Sequence, residues 1–195
     1  MRNAPAPPRA LFAALPTPTW IESAVQRFVG VGLVPELGET MFSPENWHQS
    51  FSERIFRPTA KQLDALSEVG ASISAHAGTL DFNRIEGPDL NAGNVHCTLR
   101  ARGTPKAFSA LHEEIQKRLI QAGFDEIATG VTPHLTLSYE ARKSFDNIPL
   151  NPPIPWTILD LCLVVGGGDP YRYEVIGRWP LLPELDPPVT QPGLF

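Results

Sequence analysis

The chain contains two strand–helix–strand units of matched spacing, and this repetition strongly limits the folds that it can adopt. Each unit has an apolar strand-like run, a segment with helical periodicity and a second strand-like run. His48 follows Ala10 by 38 positions, and His134 follows His96 by the same number. Two duplicated units that face each other across a cleft satisfy this arrangement most simply. The strand-like runs are residues 10–15 and 47–51 in the first unit and 95–100 and 134–139 in the second.

The pattern outside these runs also predicts an α+β domain. Apolar residues at helical spacing predict helices, and short apolar or alternating runs between turns predict strands. The expected helices are residues 17–28, 59–69 and 104–121, and the further strands are residues 79–85 and a closing antiparallel pair at 158–165 and 172–179. Both ends are rich in proline. We therefore expect a tail at residues 1–8, one folded domain at 9–180 and a second tail at 181–195.

Composition excludes several classes of function. No apolar run approaches the roughly 18 residues of a membrane span, and the N-terminus lacks an apolar leader, so we expect a cytoplasmic protein without membrane contact. A net charge of −5 disfavours sequence-independent binding of long nucleic acid. It leaves open a small nucleotide or an RNA end. The two cysteines, Cys97 and Cys162, lie in apolar runs, where a disulfide is possible but not favoured.

Three of the five histidines occur in the pattern His, any residue, Ser or Thr. These triplets are His48-Gln49-Ser50, His96-Cys97-Thr98 and His134-Leu135-Thr136. Residues i and i+2 of a strand point to one face, so each triplet presents an imidazole beside a hydroxyl. Two such pairs suit phosphate chemistry, because one imidazole can accept a proton from water and the other can donate one to a leaving oxygen. No pair of histidines has helical metal-ligand spacing, so we expect no metal.

Alternation alone does not decide which two triplets act together, but the duplication does. His134 in the last strand of the second unit corresponds to His48 in the last strand of the first. His96 corresponds to Ala10, which is not a histidine. We therefore predict His48 and His134 as the catalytic pair. His96 either lines the cleft from a neighbouring strand or is a half-exposed polar residue.

Several segments resemble the 2H phosphoesterases, and among them the LigT-like group of 2′-5′ RNA ligases and RNA 2′,3′-cyclic phosphodiesterases. The resemblance spans about residues 10–180. It rests most specifically on two motifs, Pro-Glu-Asn-Trp-His at residues 44–48 and Pro-His-Leu-Thr-Leu at 133–137. Weaker matches are the runs at residues 10–16 and 173–180.

The resemblance implies a bilobal α+β fold with two pseudo-symmetric antiparallel sheets lining a central cleft and helices outside. It also implies metal-independent hydrolysis of a 2′,3′-cyclic phosphate, on an RNA end or a small nucleotide, to a 2′-phosphomonoester without any cofactor. Reversible 2′-5′ ligation of RNA ends is a further implied activity. Ser50 and Thr136 would bind the phosphate, with His134 as base and His48 as acid, although these two roles can be exchanged.

Two departures from the family pattern bear on the substrate. Ser50 stands where the family most often has threonine, so the hydroxyl lacks the methyl that stiffens χ1. The arginine that often follows the second motif closely is absent here, and Arg142 comes later; Arg54 is a possible substitute. A weakened basic rim favours a small nucleotide or a short RNA end. Tyr139 either stacks on a base or is an ordinary aromatic at a strand end.

Two other functions are compatible with the same residues. One is a non-catalytic module that binds RNA ends, and the other is a hydrolase of another cyclic phosphate metabolite. The intact hydroxyl of each motif argues against the first. The last five residues also resemble the peptide with which bacterial proteins dock into the sliding clamp, with Gln191, Leu194 and Phe195 as anchors. We favour the alternative that this segment packs on its own domain or has no binding role, and we expect a monomer.

Overall fold

Nine strands and four α-helices are interspersed along residues 6–185, which are the residues that the computed structural model describes. The strands are β1 (Ala6–Ala14), β2 (Gln49–Ser50), β3 (Ile55–Phe56), β4 (Gly78–Glu86), β5 (Cys97–Ala101), β6 (His134–Ser138), β7 (Ile148–Ile158), β8 (Asp160–Gly168) and β9 (Arg172–Pro180). The α-helices are α1 (Pro18–Gly30), α2 (Leu33–Leu37), α3 (Ala60–Ser72) and α4 (Lys106–Gln121), and 3-10 turns occur at Gly38–Thr40, Pro44–Asn46 and Asp125–Ile127.

The strands form two antiparallel sheets of equivalent order. The first sheet has the order β2-β1-β8-β9, with β3 also paired to β1, and the second has the order β6-β5-β4-β7. In both sheets the strand that carries a predicted catalytic motif pairs with the opening strand of its own unit. The α+β class and the duplicated organisation are therefore confirmed.

Local signals in the sequence account for the helix starts. The Thr17 hydroxyl accepts a hydrogen bond from the Trp20 backbone N–H (3.3 Å), and Pro18 occupies the first helical position of α1. Thr59 and Gln62 form a reciprocal capping box at the start of α3. In α4 the apolar stripe of Phe108, Leu111, Ile115 and Leu119 is buried, as the helical period predicts.

The core joins the two units rather than separating them. Phe51, just beyond the first catalytic motif, packs against Phe108 of α4 in the second unit, with ring centroids 5.1 Å apart. Trp47 is buried and packs on Phe28 of α1 at 5.5 Å. Such aromatic contacts bury large areas and fix the first motif against both α1 and α4.

The folded region is longer at both ends than the sequence predicts. Strand β1 begins at Ala6, so residues 6–8 belong to the first sheet and not to a tail. At the other end, the Leu182 N–H donates to the Ala75 carbonyl (2.9 Å) and the Ala77 N–H donates to the Leu182 carbonyl (2.8 Å). The predicted clamp-binding residues Gln191, Leu194 and Phe195 lie outside the described residues.

Strand β7 is the largest element that the sequence pattern does not predict. It contains four prolines, Pro149, Pro152, Pro153 and Pro155, and such a composition does not suggest a strand. Because β7 is at the edge of the second sheet, one side of its backbone needs no strand partner, and prolines are tolerated there.

The two cysteines do not form a disulfide. Cys97 and Cys162 are buried free thiols, and they lie on strands of different sheets. Within residues 6–185, no helix has the length and apolar character needed to cross a membrane.

Candidate active site

The two predicted catalytic motifs meet in one cleft. His48 and Ser50 line it from the first sheet, and His134 and Thr136 line it from the second. The cleft has a volume of about 300 Å³. That volume is at the small end of ligand pockets and fits a phosphate with part of a nucleoside.

Strand alternation positions the second motif. In β6, Leu135 and Leu137 are completely buried, whereas His134 and Thr136 point into the cleft. The pairing of Arg100 with His134 and of Thr98 with Thr136 fixes this register against β5. The sequence-based orientation of the second motif thus agrees with the structure.

The first motif is positioned differently, by a turn and a very short strand. The 3-10 turn Pro44–Asn46 leads into His48, and only Gln49 and Ser50 pair with β1. The Asn46 side-chain amide donates to the Tyr171 carbonyl (2.9 Å), which fixes the turn to the start of the β9 region. His48 is therefore held by loop contacts more than by strand pairing.

Both imidazoles have the same hydrogen-bonded orientation. His48 Nδ1 lies 2.9 Å from the Asn46 carbonyl, and His134 Nδ1 lies 2.8 Å from the Thr132 carbonyl, in each case two residues earlier. A carbonyl only accepts hydrogen bonds, so Nδ1 must be the protonated nitrogen in both rings. Each neutral ring then has an unprotonated Nε2, which is the form that can accept a proton.

Burial lowers the pKa of both histidines. The pKa of His48 falls to about 4, mainly because the enclosed ring cannot hydrate its charged form, with smaller contributions from Arg54 and His134. The pKa of His134 is also lowered by burial; Arg100 lowers it further, and the Glu86 carboxylate opposes the decrease. Both rings are therefore predominantly neutral near pH 7 in the free protein.

The predicted substrate-binding residues divide between two places. Arg54 and Tyr139 line the cleft, and Arg54 Nε is buried without a hydrogen-bond partner among residues 6–185. Arg142 instead lies in a separate surface depression beside Glu36 and Glu39. The expectation that Arg142 reaches the site was based on its distance along the sequence, and the chain beyond β6 carries it away.

His96 also lines the cleft, as one of the two sequence-based interpretations expected. It is exposed on the segment just before β5 and contacts Tyr139 edge-to-face, with ring centroids 5.7 Å apart. It has no carbonyl contact like those of His48 and His134 among its described hydrogen bonds. Its position in the wall of the cleft suits contact with a bound substrate more than proton transfer.

Sequence reasoning missed further residues at the site, among them Tyr173 and Thr132. The Tyr173 hydroxyl lies 3.4 Å from His48 Nε2, and its ring meets the imidazole edge-to-face at 4.8 Å. Thr132 lines the cleft and supplies the carbonyl that orients His134. In the sequence, Tyr173 belongs only to the weak family match at residues 173–180, and no local pattern identifies Thr132 as a site residue.

Nothing in the described residues forms an evident metal centre. Among residues 6–185, no group of three or more His, Cys, Asp or Glu side chains is arranged to hold a metal ion. The Glu86 carboxylate, which acts on the pKa of His134, is paired with Arg100 at 2.6 Å. The polar groups that line the cleft include the imidazoles of His48, His96 and His134, the hydroxyls of Ser50 and Thr136, the Arg54 guanidinium and the Glu53 carboxylate.

No family model and no curated protein matches the sequence, but solved structures match the fold. A crystal structure described as a phosphoesterase is 19% identical, with a TM-score of 0.73 over 90% of this chain and 99% of that one. E. coli LigT complexed with 3′-AMP is 20% identical, with a TM-score of 0.73 over 90% and 99% of the two chains. TT0787 of Thermus thermophilus is 14% identical, with a TM-score of 0.69 over 90% and 99%. The chain therefore has a LigT-like 2H phosphoesterase fold.

Proposed function

We propose that this protein is a phosphoesterase that hydrolyses 2′,3′-cyclic phosphates, on nucleotides or short RNA ends, to 2′-phosphomonoesters without a metal. The observation that carries the proposal is the matched pair of imidazoles. Each ring is fixed by an Nδ1–H bond to a carbonyl, and both rings line one small cleft together with Ser50 and Thr136. This arrangement provides one base, one acid and two hydroxyl donors for a single phosphate.

The reaction needs one proton removed and one proton supplied. A basic Nε2 takes a proton from water as the water oxygen bonds to phosphorus, and the bond from phosphorus to the 3′ oxygen breaks. The other imidazole, protonated on Nε2, gives that proton to the departing 3′ oxygen. The 2′-5′ ligation of RNA ends is the same chemistry with a ribose 5′-hydroxyl in place of water and the same two proton transfers, and the two roles are exchanged only in the reverse cleavage of the 2′-5′ bond.

The environments of the two rings favour His48 as base and His134 as acid, which exchanges the assignment drawn from the sequence. His48 is enclosed, and its pKa of about 4 keeps it neutral. His134 is only half-buried, so its charged form keeps more contact with water than that of His48; Arg100 lowers its pKa, and the Glu86 carboxylate opposes this in part. An anionic phosphate bound between the rings would raise the pKa of both, and His134 is the easier of the two to protonate.

The remaining residues suit phosphate binding. The hydroxyls of Ser50 and Thr136 can donate to the non-bridging oxygens. Arg54 can supply positive charge as the transition state gains negative charge, because its Nε has no protein partner within the described residues. Its position beyond the first motif supports the idea that it replaces the arginine expected after the second.

Substrate size follows from the cleft and the charge. A cleft of about 300 Å³ in a chain of net charge −5 suits a mononucleotide or a short end better than long RNA. Tyr139 and His96 form an aromatic pair at the wall of the cleft, where a base can stack. E. coli LigT, which shares the fold, was crystallised with 3′-AMP, and a nucleoside monophosphate is the size that we propose here.

The test is direct hydrolysis. Purified protein would be incubated in excess chelator with the four 2′,3′-cyclic nucleotides and with a short RNA that ends in this group, with 3′,5′-cyclic AMP as control. We expect 2′-phosphomonoesters by chromatography and no product from the control. The absence of turnover of every 2′,3′-cyclic substrate would contradict the proposal and leave the binding module or another cyclic metabolite. Loss of activity on chelation would contradict the metal-independent part.

Two variants test the pair and its roles. His48→Ala and His134→Ala should each lower kcat by about 10²- to 10⁴-fold, whereas His76→Ala, outside the cleft, should not. A p-nitrophenyl phosphodiester, whose leaving group needs no proton, should restore most activity to the His134 variant only. Restoration of the His48 variant instead would reverse the assignment.

A further inference from the structure

Gln49 is a buried polar residue that links the two halves of the site. Its side chain is completely inaccessible to solvent, at a position where strand alternation expects an apolar residue. The equivalent position in the second motif is Leu135, which is also fully buried. The fold thus accepts leucine at this place, so the requirement for an amide at Gln49 must come from something other than packing.

The amide of Gln49 bonds to both segments that carry the catalytic motifs. Its Oε1 accepts a hydrogen bond from the His134 backbone N–H (2.7 Å). Its Nε2 donates to the Ser50 carbonyl (2.7 Å) and to the Thr132 carbonyl (3.2 Å). An oxygen that faces an N–H and a nitrogen that faces two carbonyls leave a single consistent orientation of the amide.

The Thr132 carbonyl that receives Gln49 is the one that holds the His134 ring. It accepts His134 Nδ1–H at 2.8 Å, while the Thr132 hydroxyl accepts from Arg100 at 3.0 Å. Thr132 is therefore fixed from the first sheet by Gln49 and from the second sheet by Arg100. The nitrogen that carries the proton in His134, and the direction of its Nε2, depend on this one peptide unit.

We propose that Gln49 is a positioning residue, which ties the Thr132–His134 segment to the first motif and so sets the geometry of His134 relative to His48. This inference rests on the proposed function for its effect on turnover. The site needs such a tie because its two imidazoles come from different sheets, and an error of about 1 Å in such a pair can cost about 10²-fold in rate.

The perturbation is Gln49→Leu, which imitates the second motif. Its matched control is Gln116→Leu, which removes a partly buried amide bonded to the Ala128 carbonyl (3.1 Å) away from the cleft. We expect kcat on a 2′,3′-cyclic nucleotide to fall about 10- to 100-fold in the first variant, with KM changed less than about threefold. The control should keep the wild-type kcat.

A second readout needs no substrate. Long-range ¹H–¹⁵N spectra report which nitrogen of each histidine carries the proton. In the wild type we expect the Nδ1–H form for both His48 and His134. In Gln49→Leu the His134 signals should move toward a mixture of the two tautomers while those of His48 stay, and Gln116→Leu should change neither.

A third variant covers the case in which Gln49→Leu does not fold. Gln49→Glu has the same shape and keeps the oxygen that accepts from His134 N–H. A buried carboxyl has a raised pKa, and once ionised it repels the Ser50 and Thr132 carbonyls. The ratio of its kcat to that of the wild type should therefore decrease as pH rises from 6 to 8.

The outcomes separate this inference from the proposed function. If the wild type turns over no cyclic phosphate, the proposed function fails, and the histidine spectra still decide the role of Gln49. If the wild type is active and a folded Gln49→Leu keeps both its kcat and its His134 tautomer, the positioning role is wrong. A folded Gln49→Glu that keeps the wild-type kcat and the wild-type His134 tautomer at a pH at which its carboxyl is ionised would overturn it as well.

Discussion

The enclosed position of His48 should make the stability of this protein depend on pH in a way that requires no substrate to measure. Only 6% of the residue is exposed, and burial lowers its pKa from 6.5 to about 4. In the unfolded chain the ring regains water, and its pKa returns to about 6.5. Between these two values the unfolded state binds a proton that the folded state does not. Stability is therefore complete above pH 6.5 and decreases as pH falls toward 4.

The size of the effect follows from the two pKa values. A tenfold change in proton affinity corresponds to about 1.4 kcal/mol, and linkage between pH 7.5 and 4.5 gives a loss of about 2–3 kcal/mol from His48 alone. Small domains have a total free energy of unfolding of about 5–15 kcal/mol. One histidine would thus account for a large part of any acid sensitivity.

The assay is urea unfolding at pH 7.5 and 4.5 for the wild type, His48→Gln and His76→Gln. Glutamine keeps a donor for the Asn46 carbonyl but cannot titrate. The decrease in unfolding free energy between the two pH values should be about 2–3 kcal/mol smaller in His48→Gln than in the wild type, and His76→Gln should behave like the wild type. Equal decreases in the wild type and His48→Gln would refute the reasoning. They would mean that the ring is hydrated, and the proposal of His48 as a neutral base would lose its support.

Three further variants test single features of the structure. Arg54→Gln should lower kcat/KM on a cyclic nucleotide about 10- to 100-fold and weaken its dependence on salt, because the substrate phosphate loses a charged partner; unchanged kinetics would exclude contact. Thr136→Val, which keeps the shape but removes the hydroxyl, should lower kcat/KM about tenfold or more in the same assay, and a wild-type value would show that the hydroxyl does not bind phosphate. Gly70→Ala places a methyl against the Trp179 ring and should reduce the free energy of unfolding, measured in urea, by about 1–3 kcal/mol. Gly30→Ala, with open space around it, is the control. Equal effects of the two substitutions would contradict the packing of Gly70 against Trp179.

Local periodicity was enough to identify much of the site. A strand alternates its side chains with period two, so Leu135 and Leu137 had to face inward and His134 and Thr136 had to share the other face. The order of elements, counted along the chain, paired His134 with His48 rather than with His96. Both inferences use only neighbours in sequence, and the cleft contains the residues that they selected.

Other parts of the fold depend on where an element lies in its sheet. The prolines of β7 argue against a strand when only neighbouring residues are considered. An edge strand, however, has backbone groups that need no partner, and β7 lies at the edge of its sheet. Likewise, Ala6 and its neighbouring prolines look like a tail until pairing with β8 is known. Arg142 appeared close to the second motif along the chain but lies elsewhere in space.

The sequence by itself determined the two imidazole–hydroxyl pairs and the duplicated α+β units, because both follow from residues or elements that are close together along the chain. Only the tertiary structure decided what holds those pairs in place. Gln49 breaks the local pattern, and its partner His134 is 85 positions away; Tyr173 reaches His48 across 125. Hydrogen bonds over such separations are set by how two sheets pack, and strand periodicity contains no information about that packing.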